Sequence, residues 1–181
     1  MKFTYFVPAL LATAIATPVA EKRDATAAVQ AINKISTQLD TFNQTLTEFA
    51  TGQSSGLGGA LNLQSGSGDV ETVLQEATQT VQQSQPFTEQ DSAQVAQSIL
   101  AFQPKIFATI DGITNVKPQL QASIGSLTSV VKTSLQEQQT AAQGFADAVS
   151  EKLTGEFKQQ APVINKQIQD KFAAAIQAYS T

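Results

Sequence analysis

The sequence contains neither histidine nor cysteine, so the chemistry open to its 181 residues is mainly that of serine, lysine and carboxylate side chains. Without imidazole or thiol groups it cannot form a Ser-His or Cys-His nucleophile pair. It also lacks the usual nitrogen and sulfur ligands of zinc. A Ser-Lys pair or a pair of carboxylates remains formally possible as catalytic machinery.

The carboxylates are scattered over the predicted helices instead of gathering at one place. Asp147 and Glu151, for example, lie within about a turn of Lys152, as on a solvated helix face. Others lie at predicted helix starts, where the open amides favour an anion. The ten considered are Glu48, Glu71, Glu76, Glu89, Asp91, Glu137, Asp147, Glu151, Glu156 and Asp170. A solvated surface is therefore favoured over an active site, and we predict no catalytic residues, no metal site and no cofactor.

The net charge of the chain argues against two classes of binding partner. The formal net charge is −4 and the predicted pI is about 4.7, with no cluster of basic residues. Nucleic acid is therefore a poor partner, and so is a layer of anionic lipid headgroups. Any lipid bound by this protein would be held by its hydrocarbon chain.

The first twenty residues have the composition of an export signal. Lys2 supplies a positive charge, and residues 3–15 form an apolar run that is too short to span a bilayer. Small residues at Ala16 and Ala20 offer two cleavage sites. No later apolar run is long enough for a transmembrane helix, and the last residues do not form a hydrophobic tail. We expect a secreted protein without a lipid anchor.

A dibasic pair follows the signal. Lys22 and Arg23 are typical of a fungal or yeast-type propeptide cut, which would leave residues 21–23 as a remnant. The mature domain would then be residues 24–181. The alternative is that the pair is only a polar end to the signal. In an exported chain, Asn43 also begins an N-glycosylation sequon, whose occupancy nothing local decides.

Apolar residues at steps of three or four predict an amphipathic first helix from Asp24, its predicted cap, to Ala50. Residues 51–69 are rich in glycine and serine and are interpreted as a linker, either mobile or folded over the rest as a lid. Asp69 would cap the second helix, which ends before Pro86.

The third predicted helix begins at Thr88, where Thr88 to Asp91 form an acidic variant of the capping box. Pro104 inside it predicts a kink, and Pro118 would end the run. A further pattern over residues 119–160 would make a helix roughly 60 Å long, so a bend is expected near residues 138–144.

Pro162 suits the first turn of a last helix. No segment alternates as a strand would. The predicted fold is all-α, an amphipathic bundle of five helices or six segments around an apolar tunnel or core. Since no disulfide can form, its stability must come from helix packing.

The apolar stripes have two interpretations. They can fill the core of the bundle, or they can line a cavity that admits an acyl chain. Each buried methylene contributes about 0.8 kcal/mol, so a long chain could bind without any specific polar contact. The residues alone favour a filled core over a cavity.

Several segments together resemble a known family. They are the signal and dibasic pair, the helix that opens at Asp24, the glycine-rich gap, the Pro-kinked segment Ile99-Leu100-Ala101-Phe102-Gln103-Pro104-Lys105-Ile106, and the ending Phe172-Ala173-Ala174-Ala175-Ile176-Gln177-Ala178-Tyr179-Ser180. This order and spacing is similar to the fungal hydrophobic surface-binding protein A family, which includes the lipid-binding galactomannoproteins of cell walls. The resemblance covers residues 24–181.

The resemblance implies a five-helix bundle around an apolar tunnel, secreted or associated with the cell wall. It also implies binding of fatty acids or similar lipids. The alternatives are a surface-active protein that adsorbs to hydrophobic solids and recruits secreted hydrolases, and a structural antigen of the cell wall. The family offers no short ligand motif, so the lining candidates come from the stripes: Phe42, Leu46, Phe49, Leu74, Phe102, Ile106, Ile110, Leu127, Val131, Phe145, Val149 and Phe172. The oligomeric state and the identity of the lipid stay open.

Overall fold

The computed structural model describes residues 21–123 and 127–180, and within these ranges every regular element is a helix. The helices are α1 (Glu21–Ala50), α2 (Gly56–Gln83), α3 (Glu89–Asn115), the short α4 (Lys117–Ser123), α5 (Leu127–Lys152) and α6 (Gly155–Ala178). The prediction of an all-α bundle of five long helices, with a sixth short segment, is confirmed.

The five long helices form a closed ring in the order α1, α2, α5, α6, α3, and each packs on its two neighbours in that ring. Helices α1, α3 and α6 run in one direction, whereas α2 and α5 run in the other. The connections α2–α3 and α5–α6 therefore meet at one end of the bundle, and α4 lies at the other end. This arrangement encloses a space along the bundle axis.

Helix α1 follows the predicted stripe. Its residues from Ile32 to Phe49 that repeat at steps of three or four are buried. It begins at Glu21, so the prediction that Asp24 caps its start is wrong. Glu21, Lys22 and Arg23 are good helix formers, and they extend the helix before Asp24 by almost one turn.

Helix α2 begins at Gly56, inside the segment predicted to be a linker, so the linker and the cap at Asp69 are both wrong. Two of its glycines allow close packing against the end of α1. A Cβ atom on Gly59 would overlap the Ser54 carbonyl and approach Phe49 Cδ2 to 2.8 Å, and one on Gly66 would approach Phe42 Cδ2 to 2.8 Å. Tertiary packing therefore overrides the low helix propensity of glycine.

Helix α3 begins as predicted, since the Thr88 side chain accepts a hydrogen bond from the Asp91 amide at 3.2 Å. Pro104 lies inside this helix. Both Pro104 and Leu100 are exposed, so water can reach the Leu100 carbonyl that the proline leaves unbonded. The helix ends at Asn115, before Pro118, which occupies the first turn of α4.

The predicted bend at residues 138–144 is wrong, because α5 is continuous from Leu127 to Lys152. The break lies instead at Leu153 and Thr154. Pro162 is likewise not in a first turn: α6 begins at Gly155, whose φ of +60° suits glycine, and Pro162 is an interior residue. Its exposed position lets water reach the Lys158 carbonyl.

Several hydrogen bonds join the connections α2–α3 and α5–α6; we call this region, residues 84–92 and 152–154, the connection joint. The Phe87 amide donates to the Lys152 carbonyl at 2.8 Å, and Lys152 Nζ donates to the Ser84 carbonyl at 2.6 Å. The fully buried Ser92 accepts from the Thr154 amide at 3.1 Å, and Thr154 Oγ1 donates to the Phe87 carbonyl at 3.3 Å. These bonds hold two loops together at one end of the ring.

Within the described ranges, none of the helices is both long enough and apolar enough to cross a membrane.

Candidate functional site

The larger space inside the ring, here the first cavity, lies between α3, α5 and α6, with α1 and α2 behind. The centres of water-sized molecules can occupy about 140 Å³ of it. That is room for about ten water molecules, or about 300 Å³ of liquid, which is the lower end of the range for small-molecule sites. None of the described residues that line it is charged. Such a cavity suits a hydrocarbon better than a polar metabolite.

The first cavity is open at one end and closed at the other. Its exposed lining residues, Gln97, Leu100 and Gln160, form a mouth between α3 and α6. At the closed end, Ile110 and Phe172 are buried. The cavity therefore has the form of a blind pocket that a linear chain could enter from one side.

A second cavity lies nearer the other end of the ring, between α1, α2, α4 and α5. It offers about 70 Å³ to the centres of water-sized molecules. Leu57, Leu61 and Val130 form its exposed edge. Its lining within residues 21–123 and 127–180 is also uncharged, so the largely apolar interior continues toward the second end of the ring.

The structure places the predicted lining residues in three groups. Seven of them line the first cavity: Leu74, Phe102, Ile106, Ile110, Phe145, Val149 and Phe172. Four line the second: Phe42, Leu46, Leu127 and Val131. Phe49 lines neither and packs beside Gly59. The sequence pattern therefore selected inward positions but could not tell that they surround two spaces.

Three polar residues lie between the two cavities; we call Gln138, Ser67 and Ser134 the polar partition. Gln138 lines both cavities and is 4% exposed. Its Nε2 donates to Ser67 Oγ at 2.7 Å and to the Ser67 carbonyl at 3.3 Å. Ser67 Oγ lies 2.5 Å from Ser134 Oγ. Sequence analysis missed these residues, because a polar residue at an inward position interrupts the stripe that was used to find the wall.

Asn165 is a further polar residue in the wall of the first cavity. Its Oδ1 is buried and has no hydrogen-bond partner among the described residues. Buried polar atoms are normally bonded, so an unbonded acceptor beside a cavity marks a place where a ligand group could gain a bond. Its signal in the sequence was weak, since an Asn in a Gln-rich helix suggests only a solvated face.

The carboxylates lie on the surface, as predicted. Lys105 pairs with Asp40 at 2.6 Å and Lys171 with Asp111 at 2.6 Å, and all four side chains are about a third exposed or more. No group of three carboxylates in residues 21–123 and 127–180 could hold a metal ion. These pairs link α3 to its neighbours α1 and α6 and lie outside both cavities.

The remaining predicted sites lie on or before α1. Asn43 is half-buried on this helix, and its carbonyl accepts a hydrogen bond from Thr47 Oγ1. Lys22 and Arg23 lie in the first turn of α1. Ala16 and Ala20 are outside the described residues. Glycosylation and processing at these positions stay predictions.

Sequence comparisons give two matches. Residues 25–151 match the model of the family described as hydrophobic surface binding protein A. The chain is also 25% identical over 181 residues to cell wall mannoprotein 1 of Aspergillus flavus, with 99% of this chain covered. The chain spans 63% of the length of that relative.

Solved structures share the fold. Afmp4p, solved in complex with palmitic acid, has a TM-score of 0.79 at 23% identity, over 86% of this chain and 99% of that one. Ligand-binding domain 1 of the Penicillium marneffei MP1 protein, solved with arachidonic acids, has a TM-score of 0.79 at 19% identity, over 88% of this chain and 100% of that one. The ring of helices is thus an arrangement found in other chains.

Proposed function

Since the chain belongs to the hydrophobic surface binding protein A family, we propose that it is a secreted, non-catalytic protein that binds the acyl chain of a fatty acid in the first cavity. The observation that carries this proposal is the apolar, uncharged blind pocket with room for about ten water molecules. Afmp4p and MP1, whose structures contain palmitic and arachidonic acids, share the fold and support the same class of ligand.

The proposed wall is aromatic and aliphatic. Phe102, Phe145 and Phe172 are buried around the cavity, and Ile106 and Val149 complete it. Each methylene that leaves water for this wall contributes about 0.8 kcal/mol, which is about fourfold in affinity. Because no charged side chain lines the cavity, the hydrocarbon chain would supply most of the binding free energy, with the acid group near the mouth.

Purified protein spanning residues 24–181 tests this proposal. Organic extraction followed by mass spectrometry should release fatty acid in near-stoichiometric amount, and the delipidated protein should rebind a fluorescent fatty acid saturably. A clean extract together with no saturable rebinding would refute the proposal.

A cavity-filling variant locates the site. Ala142 lines the first cavity, whereas Ala101 is exposed and does not line it. Ala142→Leu places about three more carbon atoms in the space, so we expect an affinity loss of about 50-fold at about 0.8 kcal/mol per displaced methylene. Ala101→Leu should leave affinity unchanged. Equal affinities in the two variants would place the ligand elsewhere.

A second function, adsorption to hydrophobic solids, is favoured by one surface. Residues 49–68 and 118–131 contain no charged side chain, and we call this region the uncharged end. Leu57, Leu61 and Val130 there are 62%, 55% and 41% exposed. Large exposed apolar side chains without nearby charge suit an apolar solid. Adsorbed protein could then hold secreted hydrolases at such a surface.

The relative from Aspergillus flavus is a cell wall mannoprotein, which supports an extracellular or wall-associated location for this chain. The proposed mature domain is residues 24–181, released by a cut after Arg23. N-terminal sequencing of the secreted protein would test that boundary, and the mass of the same sample would show whether Asn43 carries a glycan.

A further inference from the structure

The boundary between the two cavities can be located on every helix that lines both of them. On α1, Leu39 lines the first cavity and Phe42 the second; on α3 the change occurs between Ile110 and Ile113. On α2, Val70 lines the first cavity and Ser67, a member of the polar partition, lines the second. Gln138 on α5 is common to both. The polar partition therefore lies at this boundary, at the seam between the neighbouring helices α2 and α5, and Gln138 faces both apolar spaces.

Such a cluster is unusual in this interior. A buried polar group is costly unless it is hydrogen-bonded, and an apolar residue at the same place would pack without that requirement. Gln138 and Ser67 meet the requirement by bonding each other across the gap between α5 and α2. Ser134, one turn before Gln138, bonds the same Ser67 hydroxyl. The cluster is therefore stable without a ligand.

An acyl chain that reached this level would meet the Gln138 side chain, which lies between the two cavities. To pass, its methyl end would have to displace the Gln138 side chain and break the bonds to Ser67. Methylene groups offer no replacement bonds, and leaving buried polar groups unpaired costs about 1–3 kcal/mol. That cost offsets the gain from one or more further methylenes at about 0.8 kcal/mol each.

We propose that the polar partition, with Gln138 as its central residue, limits the length of acyl chain that the first cavity can enclose. This inference rests on the proposed function. Affinity should rise about fourfold for each added methylene until the chain end reaches Gln138. For about one to four carbons beyond that length the added carbons stay near the mouth, and each should leave the affinity nearly unchanged. Since a methylene is about the size of a water molecule, the limit is expected near ten carbons inside the cavity.

The experiment is a titration of the delipidated protein with the saturated acids from octanoate to stearate, below the concentrations at which they form micelles. The wild type should show a rise followed by a plateau. In Gln138→Ala the two cavities become continuous, so the rise should extend to longer acids, with at least about a tenfold gain for the longest. Gln136→Ala, at an exposed position on the same helix, should keep the wild-type plateau.

A second variant separates the polar barrier from simple filling of space. Gln138→Met keeps a side chain of similar length but has no hydrogen bonds to lose, so it can be displaced by a ligand. In this variant too, the rise in affinity should extend to longer acids. Urea unfolding of each variant checks that it is folded before titration.

The outcomes distinguish the two proposals. A wild type that binds none of the acids contradicts the proposed function itself. Saturable binding with a steady rise up to stearate, or a plateau that is unchanged in both folded Gln138 variants, leaves fatty-acid binding intact and overturns the role of the polar partition.

Discussion

The connection joint and the uncharged end hold opposite ends of the same ring by different means. At the joint, polar groups of two loops bond each other: the Thr154 amide to Ser92, and Lys152 to the Ser84 carbonyl. At the uncharged end, α2 packs on α1 because Gly59 and Gly66 lack side chains. The connection joint depends on satisfied polar groups, whereas the contact between α1 and α2 at the other end depends on close packing and lies beside exposed leucines.

The two kinds of contact, hydrogen bonds between loops and close packing through glycine, have different consequences for the surface beside them. Hydrogen bonds between loops remove polar groups from water and fix the helix ends. Close packing through glycine needs no polar partners, so it leaves the adjoining surface free to be apolar. The exposed apolar side chains Leu57 and Leu61 thus lie on the helix that packs through glycine.

The largest effect is expected at Gly59. Gly59→Ala would place a methyl group against the Ser54 backbone and Phe49, forcing α2 away from α1, and should lower the free energy of unfolding by about 3 kcal/mol. Gly68→Ala is the control: nothing lies near its Cβ position, so it should stabilise the helix by up to about 1 kcal/mol. Urea unfolding measures both. Equal effects would show that close packing does not hold this end.

At the connection joint, Ser92→Ala removes the hydroxyl that accepts from the Thr154 amide. The partly buried Thr154 amide, left without this acceptor, should cost about 1 kcal/mol. Ser98→Ala, on the same helix, removes only a bond to the Gln94 carbonyl and should change stability by less than about 0.5 kcal/mol. Thermal unfolding of the two variants compares them. A Ser92 variant as stable as wild type would show that the polar bonds there are dispensable.

Tyr179 fixes the end of α6 to α3, because its hydroxyl donates to the Ile113 carbonyl at 2.6 Å. Tyr179→Phe should cost about 1 kcal/mol. Burial raises the pKa of Tyr179 above its ordinary value of 10.0, so the folded state retains this proton where the unfolded chain loses it. The contribution is therefore fully present below about pH 10 and decreases as the pH rises above it.

The measurement is the difference in free energy of unfolding between wild type and Tyr179→Phe, followed from neutral to alkaline pH. The difference should shrink above about pH 10. A difference that stays constant across this range would contradict a buried, neutral phenol.

The smallest effect on stability is expected from the exposed leucines. Leu57→Gln with Leu61→Gln should change the free energy of unfolding by less than about 0.5 kcal/mol per site, because both side chains are largely in water. Adsorption to a hydrophobic solid should nevertheless fall several-fold. Val163→Gln, at a residue 61% exposed on α6, is the control and should adsorb like wild type. An equal loss of adsorption in the Leu57/Leu61 variant and in the Val163 variant would show that adsorption depends on general surface hydrophobicity.

The parts of the fold that local sequence determines were predictable. The stripe from Ile32 to Phe49 specifies α1, and Thr88 with Asp91 marks the start of α3, because both depend on residues within a few positions of each other. The start of α2 was not predictable, since its glycines are explained only by Phe42 and Phe49 on another helix.

The candidate site, like the fold, was predictable only where it depends on local sequence. Inward positions such as Phe102 and Phe172 follow from periodicity, but their grouping around one cavity depends on which helices become neighbours. Gln138 shows the limit most clearly. In sequence it suggests a bend in α5, whereas in the structure its amide bonds Ser67, which is 71 positions away.

The two apolar cavities have a mechanical consequence. Internal space that the side chains do not fill is eliminated when the chain unfolds, so the unfolded state occupies less volume, and hydrostatic pressure favours it. The ligand-free ring should therefore be compressed and unfolded at lower pressure than helical proteins of its size with filled interiors. A bound hydrocarbon would occupy that volume and make the same ring resistant to pressure, in proportion to the space it fills.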